Sequence, residues 1–403
     1  MPNSQRTVVS ICFSPDTRVR IDMRRQLILT ALAVLSLATP SVRAMYTGEV
    51  ELVPVDRLVQ NLARLTAGEP ENLTYRLNLA RAHAMAYARE GDSIRVRRGN
   101  EELGPWPSRA FAPGDTDPTM PSKIDRGRTS PAGREHLTAA ITAYEEVLKK
   151  DPSNAIARLG HAWCLQESGE RGRAIAEYRA LIAELGPRRP LVSVIPSVVR
   201  EAEGYLVQLL NPGQDAAEIT KLQTDLATRT VPRLISPIVI PLHDGLPAAS
   251  LVDDTTHVRF DADGTALDRA WTWVSDDAAW LVSDPRRTGH ITSALQLFGN
   301  VTFLLFWENG YQALTALDDN GDGELRGHEL EGLALWHDVN RNGVSDPGEV
   351  HPLDAWNIVA LSTRHDIDEE NAIYIASSPS GVTFTDGSTR PTYDVLLRTV
   401  TSR

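Results

Sequence analysis

Apolar residues recur at three- and four-residue spacing through much of residues 45–210, the period of helices with one buried face. Leu73, Leu77, Ala80, Ala84 and Tyr87 predict a helix over residues 72–89. Ala140, Ile141, Tyr144, Val147 and Leu148 predict a second, closed by Asp151-Pro152. Ala155, Leu159, Ala162 and Leu165 predict a third, ended by Gly169, and Ala174, Ile175, Tyr178, Leu181 and Ile182 a fourth. Residues 201–210 and 215–229 form a flanking pair. The run 234–242, LISPIVIPL, is β-branched with two internal prolines and reads as an edge strand or an extended linker. Helical spacing returns at Tyr311, Leu314 and Leu317, and again at Leu330, Leu333, Ala334 and Trp336. These predict an entering and an exiting helix. The tail alternates around an Asp386-Gly387 turn, which predicts a β-hairpin.

The stretches beside those last two predicted helices carry the candidate chemistry. Residues 318–329 read DDNGDGELRGHE and residues 338–349 read DVNRNGVSDPGE. Both place oxygen-bearing side chains at loop positions 1, 3 and 5, glycine at 6 and glutamate at 12. Ca²⁺ is a hard ion that takes six to eight oxygens, and a chain wrapped around it offers side chains at alternate residues. Glycine permits the sharp turn, and the final glutamate closes the shell with both oxygens. The first loop offers Asp318, Asn320, Asp322, the carbonyl of Glu324 and Glu329, with Arg326 at position 9, where water can serve. The second offers Asp338, Asn340, Asn342, the carbonyl of Val344, Asp346 and Glu349. Three carboxylates in each suit moderate affinity. Such runs are also ordinary turns, but two complete patterns starting twenty residues apart favour an ion.

The loops resemble the EF-hand, in the extracellular variety also seen in dockerin-like modules of bacterial secreted proteins. The resemblance implies two Ca²⁺ sites and a helix on each side of each loop, with residues 330–337 serving both. Pro347 departs from it. Asp261 and Asp284 open two weaker patterns, which read as loops that keep the backbone and have lost the metal.

Ala140 and Ala174, like Tyr144 and Tyr178, stand 34 residues apart. With the helix periods, this resembles the tetratricopeptide repeat, a stacking helix–turn–helix unit. The resemblance implies a protein partner; a generic helical bundle is the alternative. Residues 91–133, rich in Pro, Gly and Asp, read as an insertion anchored by Trp106 and Phe111.

Charge separates the two halves. Residues 45–243 carry 25 basic and 25 acidic side chains, whereas residues 244–403 carry 10 and 26. That argues against nucleic acid and for cations. At the start, Met23-Arg24-Arg25, an apolar run over 27–38 and Val42-Arg43-Ala44 predict a secretory signal cleaved after Ala44, with translation from Met1 or Met23. Twelve apolar residues cannot span about 30 Å of hydrocarbon, so no stable anchor is expected after cleavage. Cys164 would then stand alone as a small buried hydrophobe without a disulfide. Catalytic motifs are not found: His328-Glu329 begins a zinc-protease pattern, but Gly332 stands where the second histidine belongs.

The expected fold is mainly α with an α+β C-terminal module: tetratricopeptide-like helix pairs, paired EF-hand loops and a small β-hairpin. The expected divisions are residues 1–44 (leader), 45–210 (helical domain), 211–243 (helix and linker) and 244–403 (acidic module). The expected function is non-enzymatic: a secreted calcium-binding protein whose helical part holds another protein. Two rivals remain. A cell-surface or polysaccharide-associated scaffold would expose Trp271, Trp273 and Trp280 in a row, and a hydrolase with structural calcium would gather two carboxylates or a His–Asp pair in a cleft.

Overall fold

Among the described residues, seven helices occupy the N-terminal part of the chain: α1 (Val55–Gly68), α2 (Leu73–Glu90), α3 (Pro131–Lys150), α4 (Ala155–Glu167), α5 (Arg171–Leu185), α6 (Ile195–Leu209) and α7 (Ala216–Thr228). The computed structural model describes residues 53–90, 93–98, 101–107, 130–186, 195–228, 235–262, 269–368 and 370–399. The expected leader and most of the 91–133 insertion, Phe111 included, lie outside these. Within the insertion, β1 (Ser93–Arg98) and β2 (Glu101–Pro107) pair antiparallel. The helices begin where local chemistry favours it. Ser130 caps α3 by accepting from the Gly133 N–H at 2.8 Å, with Pro131 just inside, and Asn154 caps α4 by accepting from the Ala157 N–H at 3.0 Å. Consecutive helices contact one another along the chain. Ala140, Tyr144, Ala174 and Tyr178, the residues of the 34-residue interval, are all fully buried.

The C-terminal part corrects the expected fold class. Instead of helix–loop–helix pairs with a small hairpin, it holds a nine-stranded antiparallel sheet. Its strands are β3 (Ile238–Pro241), β6 (Ala278–Ser283), β7 (Glu324–Arg326), β8 (Leu333–Trp336), β9 (Val350–Pro352), β10 (Ile358–Ser362), β11 (Asp366–Ile367), β12 (Tyr374–Phe384) and β13 (Thr389–Val395). The order is β7-β10-β12-β13-β3-β6-β8-β9, with β11 on β12. A separate hairpin, β4 (Val252–Phe260) with β5 (Arg269–Val274), packs beside it. The expected tail hairpin forms as β12–β13, but as inner strands. The supposed edge strand or linker, β3, also lies inside the sheet, and its prolines, Pro237 and Pro241, fall at its ends, where a missing donor costs least.

The expected exit helix is strand β8. Leu333 and Leu335 enter the core shared with the helices, while Ala334 and Trp336 enter a second core on the other face. A run buried on both faces satisfies a helical template and a strand template alike, and here the alternating environment decides. Gly327 (φ 56°) and Gly332 (φ 80°) bound the segment with backbone that a helix does not use. The entering helix exists but is short: α8 (Gly310–Thr315). It sits against β3 and β13. A Cβ on Gly310 would fall 2.7 Å from Ile238, and Tyr311 Oη lies 2.8 Å from Thr392 Oγ1.

Chain connectivity curls the sheet. β9 lies at one end and β10 one strand from the other, yet only Leu353–Asn357 joins them, a span under about 20 Å. Inward residues Ile238, Ile240, Leu281, Leu335, Leu361 and Val382 share one core with α8 and with the helices. On the outer face Trp271, Trp273, Trp280 and Trp336 are fully buried with Phe260, with ring centroids 5.3–5.6 Å from Trp273 for Phe260, Trp280 and Trp336. The tryptophan row is therefore core, and the glycan-stacking rival loses the feature that would carry it. Helices and sheet lie in one compact unit, Ser41–Arg403. Among the described residues, no helix is long and apolar enough to cross a membrane.

Candidate metal centre

The two loops fold alike, position by position. The first-position carboxylate accepts from the N–H of the glycine at 6: Gly323 to Asp318 at 2.9 Å, Gly343 to Asp338 at 2.8 Å. Position 3 accepts from the N–H of position 5, Asp322 to Asn320 at 2.8 Å and Asn342 to Asn340 at 3.0 Å. Position 5 accepts from position 7, Glu324 to Asp322 at 2.9 Å and Val344 to Asn342 at 2.6 Å. Position 12 spans the loop. Glu329 accepts from the N–H groups of Asp319 (2.8 Å) and Arg326 (2.9 Å), and Glu349 from those of Val339 (3.1 Å) and Asp346 (3.0 Å). Backbone at positions 4 and 6 is left-handed in both: Gly321 (φ 74°) and Gly323 (φ 88°), Arg341 (φ 53°) and Gly343 (φ 73°). These bonds fold Asp318, Asn320, Asp322 and Glu329 back on one loop and Asp338, Asn340, Asn342 and Glu349 on the other, where Asp346 accepts from the amides of Asn340 and Asn342 at 2.7 and 2.9 Å.

Asp318, Glu329, Asp338 and Glu349 are buried, although each loop tip is exposed. Burial pushes the Asp338 carboxyl up, and nearby Glu349 adds to it, against bonds from Gly343, Trp273 and Asn342 that pull it down. A cation beside the buried Asp338 carboxylate would offset the cost of charging it there. The oxygen-only donors fit Ca²⁺.

A third loop has the same backbone. Asp284 accepts from the Gly289 N–H at 2.8 Å, and Arg287 (φ 50°) and Gly289 (φ 69°) fill the left-handed positions. Arg286 and Thr288 replace the ligands at 3 and 5. Gln296 donates from Nε2 to the carbonyl of His290, position 7, at 3.0 Å. An amide hydrogen thus satisfies the carbonyl that an ion would otherwise use. Asp261 is buried and its carbonyl accepts from the Ala294 N–H at 2.9 Å; most of its pattern, residues 263–268, lies outside the described residues.

The loops do not pair with each other in the described residues, which corrects the expected shared helix. Glu324 and Arg326 of the first belong to β7, paired with β10 at one end of the sheet. The second lies between β8 and β9 at the other end. Trp273 Nε1 donates to Asp338 Oδ2 at 2.7 Å, Trp336 Nε1 to Glu349 Oε2 at 3.4 Å, and Arg341 bridges Asp253 and Asp276 at 2.9 Å each. No sequence signal pointed to these tryptophans as supports for the loop; Trp336 read as part of an exit helix and Trp273 as one of a tryptophan row.

Residues 240–398 match the SPM domain family. The match takes in both complete loops, α8 and the sheet from the end of β3 onward, and leaves α1 to α7 outside. A curated relative, the iron-regulated protein FrpA of Neisseria meningitidis serogroup C, is 34% identical over 146 residues, covering 34% of this chain and 13% of that protein. The chain thus spans a small part of that relative's length.

A different trio, Asp319, His328 and Glu329, also brings ligand atoms within 4.8 Å of one another. Asp319 is otherwise engaged, by Arg57 Nε at 2.7 Å and Asn61 Nδ2 at 2.8 Å. Burial pushes its carboxyl up, but Arg57 and Asn61, with His328, bring it down overall. It is a strut between loop and helix, not the solvated neighbour its off-register position suggests. A cavity of about 260 Å³ lies beside the third loop, with Asp284, Glu331 and Asp354 in its lining and no histidine among them. Both Asp284 oxygens accept from backbone N–H groups there.

Proposed function

We propose that this is a secreted calcium-binding protein in which Ca²⁺ fills the loops 318–329 and 338–349 and orders the acidic sheet, while the helical part, read as tetratricopeptide-like, holds a protein. The observation that carries the reading is the matching set of hydrogen bonds at positions 1, 3, 5 and 12 in two loops of different sequence. The third loop, closed by Gln296, takes no ion. Secretion rests on the leader pattern at residues 1–44, and the relative's partial match adds nothing on substrate or partner.

Calorimetric titration of a chelated sample tests this. Two Ca²⁺ per chain are expected, with Kd on the order of 10⁻⁵ to 10⁻³ M as for extracellular modules. Glu329→Gln and Glu349→Gln should each remove one site, and the double variant both. No uptake at millimolar Ca²⁺ would sink the reading; uptake persisting in the double variant would move the sites elsewhere.

A further inference from the structure

The helix α1 already holds a segment of its own chain. Arg57, Asn61 and Arg64 stand four and three residues apart, one stripe of the helix, while Val55, Leu58 and Leu62 are fully buried in the common core. The polar stripe meets the first loop at its beginning and its end. Arg57 donates to Asp319 Oδ1 at 2.7 Å, to the carbonyl of Leu317, and to that of Glu329 at 3.5 Å. Asn61 Nδ2 donates to the carbonyl of Ala316 at 3.1 Å and to Asp319 Oδ1 at 2.8 Å, and Arg64 donates to the carbonyl of Asp318. α2 grips the chain just upstream: Asn78 makes two bonds to the Phe306 backbone, at 2.7 and 3.0 Å, and Arg81 Nε donates to the carbonyl of Leu304 at 2.8 Å. The two ends of the approach to the first loop, residues 304–306 and 316–319, are thus held by α2 and α1.

We propose that occupancy of the first loop by Ca²⁺ and docking of α1 are one coupled equilibrium, with Arg57, Asn61 and Arg64 as the residues that transmit it. This rests on the calcium reading above. Asp318 and Glu329 are buried carboxylates at opposite ends of the loop. Without a cation, like charge at the two ends works against the N–H bonds that tie Glu329 back to Asp319, and every acceptor used by α1 lies at positions 1, 2 or 12 or just before them. With the ion in place the ends are fixed, and the carbonyls stand where the three donors need them. Repulsion between the guanidinium groups and the ion acts the other way, but Arg64 is exposed, where solvent and salt screen it. The second loop is gripped from the sheet side, by Trp273, Trp336 and the Arg341 bridges, and leaves α1 unaffected. The helical region thus senses one site of the two. Linkage makes the effect reciprocal: whatever factor α1 adds to the affinity of the first loop, Ca²⁺ adds to α1 docking.

The test uses the full chain. Hydrogen exchange over residues 55–68 is followed with chelator and with Ca²⁺ for the native chain, Glu329→Gln and Glu349→Gln, alongside calorimetry of Arg57→Gln/Arg64→Gln. Calcium should slow exchange of α1 in the native chain and in Glu349→Gln, but not in Glu329→Gln. The double arginine variant should lose about tenfold in affinity at one site and keep the other. If both sites fill while α1 exchange stays unchanged, or the arginine variant binds both ions with native affinity, the coupling is overturned and the calcium reading stands. A chain that takes up no Ca²⁺ overturns both, and the calorimetric trace distinguishes this from loss of coupling alone. Should the arginine variant fail to fold, native-chain exchange alone decides.

Discussion

Single residues in the loops do work that substitution can separate. Gly343 sits at φ 73° with its missing Cβ 2.0 Å from Val258 Cγ1, whereas Gly348 sits at φ 93° with nothing nearby. Gly348→Ala should therefore cost only backbone strain, about 1–2 kcal/mol, and Gly343→Ala roughly 3 kcal/mol or more, because the clash adds to the strain. Urea unfolding in chelator measures both. Trp273→Phe removes a donor from buried Asp338 and should cost about 1–3 kcal/mol, with loss of affinity at the second site. Gln296 marks the limit of reading residues singly: only its bond to the His290 carbonyl, not its residue type, shows it standing in for an ion.

Elements form where neighbouring surfaces allow them. α3 and α4 approach closely because Gly160 carries no Cβ; one placed there would fall 2.2 Å from the Tyr144 ring. Gly160→Ala should destabilise the helices by about 1–3 kcal/mol, and adding Tyr144→Leu should recover part of the loss, a non-additivity that a double-mutant cycle reads directly. Where α2 meets α3, His83 and His136 bring their Nδ1 atoms to 2.9 Å. Burial, with His136 adding, lowers His83 to about 4. The unfolded chain protonates this histidine near 6.5 and the fold resists, so its contribution is complete above pH 6.5 and is lost as pH falls toward 4. Denaturant midpoints between pH 7 and 4 should fall less steeply for His83→Gln than for the native chain. Helices α2 to α7 were legible from apolar residues at three- and four-residue spacing, even though α2 and α4 are buried nearly all round. Strand β8 was not, because apolar residues on two faces hide the period.

Across the whole molecule, the acidic excess lies in the part that carries the loops, so the chelated protein repels itself and Ca²⁺ should relieve it. At a hundredfold excess over Kd each site adds about 2.7 kcal/mol. Thermal melts should move upward with Ca²⁺, and far-UV helix signal and near-UV tryptophan signal should move together, since helices and sheet share a core. A shift in the tryptophan signal alone would show that the two parts melt separately.

The sequence by itself determined the twelve-residue loops. Their carboxylates, left-handed positions and closing glutamates act on neighbours within a dozen residues, so chain order alone brings them together. It likewise determined helices α2 to α7. Only the tertiary structure decided that 333–336 is a strand between two cores, that 238–241 lies inside a curled sheet, and that α1 clamps the first loop. Arg57 and Asp319 are 262 residues apart, and no local period encodes which distant surface will bury a face or complete a hydrogen bond.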